Sequence, residues 1–385
     1  MIVRAKYSEA QRLLKHFPAV AIVGPRQCGK STMAKLIAKN YKDSIYLDLE
    51  NPDDRAKLTE PTLFLSQMKG RLVCLDEVQF MPDIFNVLRS LIDKHKRNGQ
   101  FLLLGSASPH LLRQSSETLA GRVAYMELAP FTLKEVNVSN TNQERKLWLR
   151  GGFPKSYLPR VEQISMLWRK NFIQTFLERD LSVFGFNVPS ESMRRLWLMC
   201  AHLHGQPLNL SALGNSLGVS HTTAGHYIEV LSGTYMLQKI EPHFANLEKR
   251  LRKAPKLYVA DSGILHALLN IEKYEDLITH PVAGFSWEGY VLQQIKGSLP
   301  DWQVSYIATS NQAEIDFILT KGKRTIAVEC KLSQAPSVGR GFYSITQELK
   351  IKEAFVVCPV KDSFPLNKHI IATNILGLLD SLSKK

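Results

Sequence analysis

Gly24-Pro25-Arg26-Gln27-Cys28-Gly29-Lys30-Ser31-Thr32 decides how this chain folds. It fits the pattern G-x-x-x-x-G-K-[ST], and its surroundings suit the pattern. Ahead of it, Phe17-Pro18-Ala19-Val20-Ala21-Ile22-Val23 is a short apolar, β-branched run that reads as a buried strand. Behind it, Met33-Ala34-Lys35-Leu36-Ile37-Ala38 continues as a helix. Glycines let the backbone curl so that its N–H groups converge on phosphate oxygens at the positive end of the following helix. Lys30 would reach the β- and γ-phosphates of ATP, and the Ser31 hydroxyl would hold Mg²⁺. The competing reading is a chance glycine turn ahead of a helix.

Downstream residues supply the rest of a phosphate-handling site. Ser44–Leu49 reads as a second strand, and Asn51-Pro52-Asp53-Asp54 opens a helical connection. Arg71-Leu72-Val73-Cys74-Leu75-Asp76-Glu77 is an apolar strand ending in two acids. Asp76 would bind Mg²⁺ through water, and Glu77 would act as general base on the attacking water. Phe101–Ser108 is the next strand, and Ser106 at its carboxyl end is placed to sense the γ-phosphate, or simply closes the strand. Arg122, just before the strand Val123–Leu128, is either an arginine finger for a neighbouring subunit or a surface residue. Strands alternating with helices, with acids at carboxyl strand ends, imply a doubly wound parallel sheet.

Composition limits the partners. The chain has 385 residues, enough for two or three domains, and an ordinary apolar content of 44%. No apolar run approaches the length of a transmembrane helix, so no membrane partner is expected. The start, Met1 to Tyr7, lacks the layout of a signal peptide, which points to the cytoplasm. Five scattered cysteines without a C-x-x-C argue against a disulfide framework or a zinc site. A net charge of +14 favours a polyanionic partner, nucleic acid before membrane, over a merely soluble basic surface.

From Phe131 to Phe184 the pattern turns helical, broken at Gly151-Gly152-Phe153-Pro154, and reads as a lid. The run Phe172 to Leu181, with Glu178-Arg179-Asp180, reads as a charged helix face; the alternative is a contact with nucleotide or with the next subunit. Ser211–Leu217, the turn Gly218-Val219-Ser220 and His221–Leu231 form a helix-turn-helix pattern, and Tyr235–Ile240 begins the wing. The basic stretch 249–256 behind it suits DNA phosphates. Docking of a protein is the alternative, since the second helix carries few long basic side chains.

In the last part, Phe285–Leu292 is helical, and Ala313–Leu319 and Arg324–Lys331 read as two strands joined at Lys321-Gly322-Lys323. Glu329 and Lys331 share a strand face, Asp316 lies on the adjoining strand, and Glu288 comes from the preceding helix. Such a set would hold a divalent metal that activates water at a phosphodiester. An exposed ion-pair hairpin is the bland reading.

Together GPRQCGKST, LVCLDEVQF, LLLGSAS, LAGR at 119–122, GGFP at 151–154, LERD at 177–180, PKLYVADSG at 255–263, EIDFIL and VECK resemble a prokaryotic group of AAA-type ATPases with a C-terminal domain of unknown function. The resemblance spans nearly the whole chain. It implies an α/β protein: a P-loop doubly wound sheet with a helical lid, then a winged helix and a restriction-endonuclease-like α/β domain. The expected divisions are 1–130, 131–190, 191–260 and 261–385. The expected function is a Mg²⁺-dependent ATPase acting with or on DNA, with an ATP-regulated nuclease as a second activity. A nucleotide-gated adaptor for a protein partner is the other reading. A homo-oligomer is what an Arg122 acting in trans would require.

Overall fold

The computed structural model describes residues 2–106, 119–136, 141–243, 253–309 and 313–383. Residues 107 and 108 of the sensor strand motif and 249–252 of the basic stretch lie outside them. By its contacts the chain divides into two units. One comprises Met1–Phe131, Glu178–Asn187 and Gly233–Met236; the other comprises Thr132–Leu177, Val188–Ser232 and Leu237–Lys385.

The first unit is built on five parallel strands: β1 (Ala19–Val23), β2 (Ile45–Asp48), β3 (Val73–Asp76), β4 (Phe101–Gly105) and β5 (Val123–Glu127). Their order is β2-β3-β4-β1-β5. Sequence order and sheet order differ because parallel neighbours need crossover connections. β1, β3 and β4 are buried at every position, as expected of strands covered on both faces. Alternation along β4 divides the core: Phe101 and Leu103 pack with Leu47, Leu75, Leu88 and Leu91, whereas Leu102 and Leu104 pack with Val20, Ile22, Met33 and Ile37. The order brings β4 between β1 and β3, so the carboxyl ends of all three adjoin. The expected doubly wound parallel sheet is present.

The segment read as a lid, Phe131 to Phe184, is divided: Phe131 and residues 178–184 belong to the first unit, whereas Thr132–Leu177 belongs to the second. Trp148 is buried there against Trp287, with ring centroids 5.2 Å apart, and its indole N–H donates to Ser286 Oγ at 3.0 Å. Two glycines explain two of the motifs. A Cβ on Gly263 would lie 2.0 Å from the Arg150 carbonyl oxygen, and Gly151 combines φ +72° with a Cβ position 2.0 Å from Asp261 Oδ1. Asp261 accepts from the backbone N–H of Gly152 at 2.8 Å and of Ile264 at 3.1 Å. GGFP and the VADSG part of 255–263 are therefore one packing joint, where close backbone approach requires glycine.

Helices Ser190–His202, Leu210–Leu217 and His221–Gly233 follow. Asn209 caps the second by accepting from Ala212 N at 3.0 Å, and Gly218 ends it in the left-handed region at φ 72°. Ser220 Oγ accepts from Thr223 N at 3.0 Å and starts the third. Strands β6 (Gln206–Pro207), β7 (Leu237–Ile240) and β8 (Lys256–Val259) form an antiparallel sheet in the order β6-β8-β7. Helix–turn–helix and following strands thus appear in the expected order.

The C-terminal part places helix Ala283–Ser298 before an antiparallel meander of β9 (Gln303–Ala308), β10 (Glu314–Lys321) and β11 (Arg324–Cys330). After helix Arg340–Glu348 come β12 (Glu353–Val357), parallel to β11, then β13 (Phe364–Pro365) and β14 (Ile370–Thr373). This mixed sheet has the order β13-β14-β12-β11-β10-β9, and β10 and β11 are the two strands read from the sequence. Among the described residues no helix is long and apolar enough to cross a membrane.

Candidate nucleotide-binding site

The site of the first unit forms where β1, β3 and β4 end. β1 runs into the loop Gly24–Gly29, and helix Lys30–Ala38 leaves it. Gly24 has φ +151°, and a Cβ there would lie 2.3 Å from the Leu128 carbonyl oxygen; Gly29, at φ +106°, precedes a helix that no side chain caps. The first N–H groups of that helix are left to a ligand, and the loop is a cradle for an anion. Cys28 is packing: it is fully buried, and its thiol donates to Leu128 O at 3.2 Å. Burial raises its pKa, which suppresses thiolate chemistry. Arg4 stiffens the loop by donating to Cys28 O at 2.7 Å and Ala129 O at 2.5 Å.

Lys30 is buried at 4% exposure, and its ammonium donates to Gly24 O at 3.0 Å, Pro25 O at 2.9 Å and Ser106 Oγ at 2.9 Å. Ser106 in turn donates to Glu77 Oε1 at 3.0 Å and Oε2 at 2.9 Å. Gln79 also donates to Glu77. Glu77 has a left-handed backbone, φ 53° and ψ 52°, unusual for a non-glycine residue and typical of functional positions. Lys30, Ser106 and Glu77, from three segments, thus form one hydrogen-bonded chain.

Asp76 is 3% exposed and accepts from Glu77 N at 3.0 Å and from the Tyr46 hydroxyl. Burial, then Asp76, raises the Tyr46 pKa, and Ser31 acts to lower it. Ser31 lies in the first turn of the helix that leaves the loop, and Asp76 ends β3. A hydroxyl and a buried carboxylate are oxygen ligands that fit a small, hard cation completed by water. Bound there with ATP, Mg²⁺ would neutralise developing phosphate charge.

Other expected residues stand differently. Thr32 and Gln27 are exposed, Gln27 with φ 61°. Arg26 pairs with Asp180 and, at 2.8 Å, with Glu50. Asp180 therefore contacts the phosphate loop, and the reading of Phe172–Leu181 as a plain charged helix face is corrected at this residue. Burial raises the Asp180 pKa against the opposing effect of Arg26. Arg122 is not brought to the site. It precedes β5 at the amino edge of the sheet, where its carbonyl accepts from Ala19 N, and it is paired with Asp93 at 2.6 and 3.0 Å.

In the second unit, Glu288, Asp316, Glu329 and Lys331 do gather. The register of β10 against β9 shifts between Ile315 and Ile318, which re-aims Asp316. Asp316 Oδ2 accepts from Cys330 N at 2.8 Å, and Lys331 donates to Glu329 Oε1 at 2.7 Å. The addition is Lys256. Its ammonium, 2% exposed as a residue, lies 3.0 Å from Glu288 Oε1 and 4.0 Å from Asp316 Oδ1, and also pairs with Glu314. Tyr258 donates to Glu288 as well. Burial, then Asp316, pushes the Glu288 pKa up to about 8 and that of Glu329 up to about 7. Two corrections follow. Lys256 does not belong to an exposed DNA-facing stretch, because it is buried among carboxylates. The four-residue metal set does not stand alone as expected, because Lys256 pairs with Glu288 at 3.0 Å. Among the described residues no three His, Cys, Asp or Glu side chains are grouped to hold a metal ion.

Parallel order, phosphate cradle and acid pair define an AAA-type P-loop ATPase domain. Residues 16–137 match the AAA domain model, 141–275 a domain of unknown function (DUF8612) and 283–377 a domain of unknown function (DUF4143). The chain belongs to the family of two mycobacterial proteins, "Uncharacterized protein Rv2008c" of Mycobacterium tuberculosis and "Uncharacterized protein Mb2031c" of Mycobacterium bovis. It is 40% identical to each over 362 residues, covering 94% of this chain and 81% of either relative. Similar solved structures include the Walker-type ATPase PABY2304 of Pyrococcus abyssi, with TM-score 0.49 and 14% identity over 70% of this chain and 96% of that one. AMPPCP-bound DnaA from Aquifex aeolicus has TM-score 0.32 and 18% identity over 60% and 89%. The fold is defined by its own sheet order rather than by these distant likenesses.

Proposed function

We propose that this chain hydrolyses ATP with Mg²⁺ and works with DNA. The Lys30–Ser106–Glu77 chain carries the hydrolytic part. It joins the cation that meets the β- and γ-phosphates to the base that takes a proton from water, with a sensing hydroxyl between them. Loop backbone and helix N–H groups bind the phosphates, while Ser31 and Asp76 hold the ion.

The DNA part is supported by the net charge of +14 and by the helix–turn–helix order. A metal-dependent nuclease step is not part of the reading, since Lys256 stands among the acids. That same observation favours, as a second reading, an adaptor whose C-terminal sheet binds a protein and is ionically self-contained.

Nucleotide binding and DNA binding by the full chain test the proposal. Lys30→Ala should lose ATP binding. Duplex DNA should bind with an affinity falling linearly in log[salt], because cation release accompanies phosphate contact. Salt-independent or absent DNA binding leaves the adaptor reading in place, and wild-type ATP binding by Lys30→Ala contradicts the ATPase reading itself.

A further inference from the structure

Arg26 lies inside the phosphate loop but points its charge at carboxylates of its own chain. Its side chain is 15% exposed and donates to Asp180 Oδ1 and to Glu50 Oε2. The second oxygen of Glu50 accepts from Arg179 at 2.5 Å. Asp180 closes a π-helical turn, Phe176–Asp180, and its side chain is only 4% exposed.

The backbone of Arg26 is anchored beside the reacting groups. The carbonyl of Pro25, in the peptide bond that Arg26 completes, accepts from Lys30 Nζ at 2.9 Å. The same ammonium is 2.9 Å from Ser106, which holds Glu77. Burial works to lower the Arg26 pKa, and Asp180, Glu50 and Glu77 more than reverse it, so the guanidinium already senses the base. Its planar fork of donors matches phosphate oxygens in a way a point charge does not.

We infer that Arg26 is a catalytic residue that contacts the γ-phosphate of ATP in cis, and that Asp180 with Glu50 holds it off until that phosphate arrives. The inference rests on the ATPase reading and goes beyond it by assigning the charge that responds to the third phosphate. ATP offers Arg26 a competing anion and ADP does not, which is the differential interaction that any nucleotide-driven exchange of partners requires.

The test compares affinities for ADP and for a non-hydrolysable ATP analogue, with turnover, in wild type, Arg26→Ala, Arg26→Lys and Asp180→Asn. Arg26→Ala should weaken the analogue about tenfold or more while leaving ADP within about twofold, and should lower kcat by about 10²-fold or more. Arg26→Lys should not restore turnover. Asp180→Asn, which removes one of the two carboxylates that hold the guanidinium, should tighten the analogue and leave ADP unchanged. Equal effects of Arg26→Ala on both nucleotides, no effect on either, or a weaker analogue in Asp180→Asn overturns the inference. Lys30→Ala separates the two levels. If it loses both nucleotides while Arg26→Ala is neutral, only the Arg26 assignment falls; if it binds as wild type does, the ATPase reading falls.

Discussion

The Ser106 hydroxyl donates to both carboxylate oxygens of Glu77, at 3.0 and 2.9 Å, across 29 residues of sequence. The contact exists because β4 lies between β1 and β3, which sets the end of the sensor strand beside the acid pair. A carboxylate held on both oxygens is positioned but engaged. In the proposed mechanism, bringing water to Glu77 would require it to exchange a bond with Ser106, and the Lys30 ammonium that also touches Ser106 would link that exchange to phosphate.

The Tyr46 hydroxyl donates to Asp76, one of the two residues that would hold Mg²⁺. Tyr46→Phe removes that competitor without removing a ligand. The Mg²⁺ concentration giving half-maximal turnover should fall about fivefold, the worth of roughly 1 kcal/mol for one hydrogen bond. A rise in that concentration in the Tyr46→Phe titration would show that the hydroxyl assists the ion.

Lys256 tests the acidic cluster of the second unit. Removing one partner of a buried ion pair leaves uncompensated charge, and Lys256→Met should lower unfolding free energy by about 3–5 kcal/mol in urea titration. Lys331→Met, on a side chain 39% exposed, should cost far less. Equal losses would mean that burial of Lys256 among Glu288, Glu314 and Asp316 is not what matters.

Glu329 gives a pH dependence. Burial, then Asp316, raises its pKa from an ordinary 4.5 up to about 7, and Oε2 has no hydrogen-bond partner among the described residues. A carboxyl raised on folding stabilises the protein at low pH, and that contribution is lost as pH rises from about 4.5 through 7. Wild type should thus lose about 1–3 kcal/mol between pH 5 and pH 8 relative to Glu329→Gln. Parallel stability curves for the two proteins would contradict the assignment.

The nucleotide site was legible where its residues are contiguous. The phosphate loop and the Asp76-Glu77 strand end are local patterns, and the β-branched runs beside them fix the strands. What sequence did not reveal depends on distance along the chain. Asp180 meets Arg26 from 154 residues away, and its charged neighbours Glu178 and Arg179 made it look like a solvated face. Lys256 sat at the end of a basic run, yet β8 is buried at all four positions and carries it inward. Tyr46 read as an ordinary strand residue, since only the parallel pairing of β2 with β3 brings it to Asp76. Gly151 and Gly263 were visible as motif residues, but their reason is a backbone joint rather than chemistry.

Single-turnover hydrolysis of ATP by wild type and Glu77→Gln, with affinity measured in parallel, tests the central claim most directly. The amide keeps the shape of the side chain but cannot take a proton from water. Glu77→Gln should bind Mg²⁺–ATP about as well as wild type and hydrolyse it about 10²–10⁴ times more slowly. Turnover in Glu77→Gln equal to that of wild type, or a wild type that binds ATP and never cleaves it, would contradict the account.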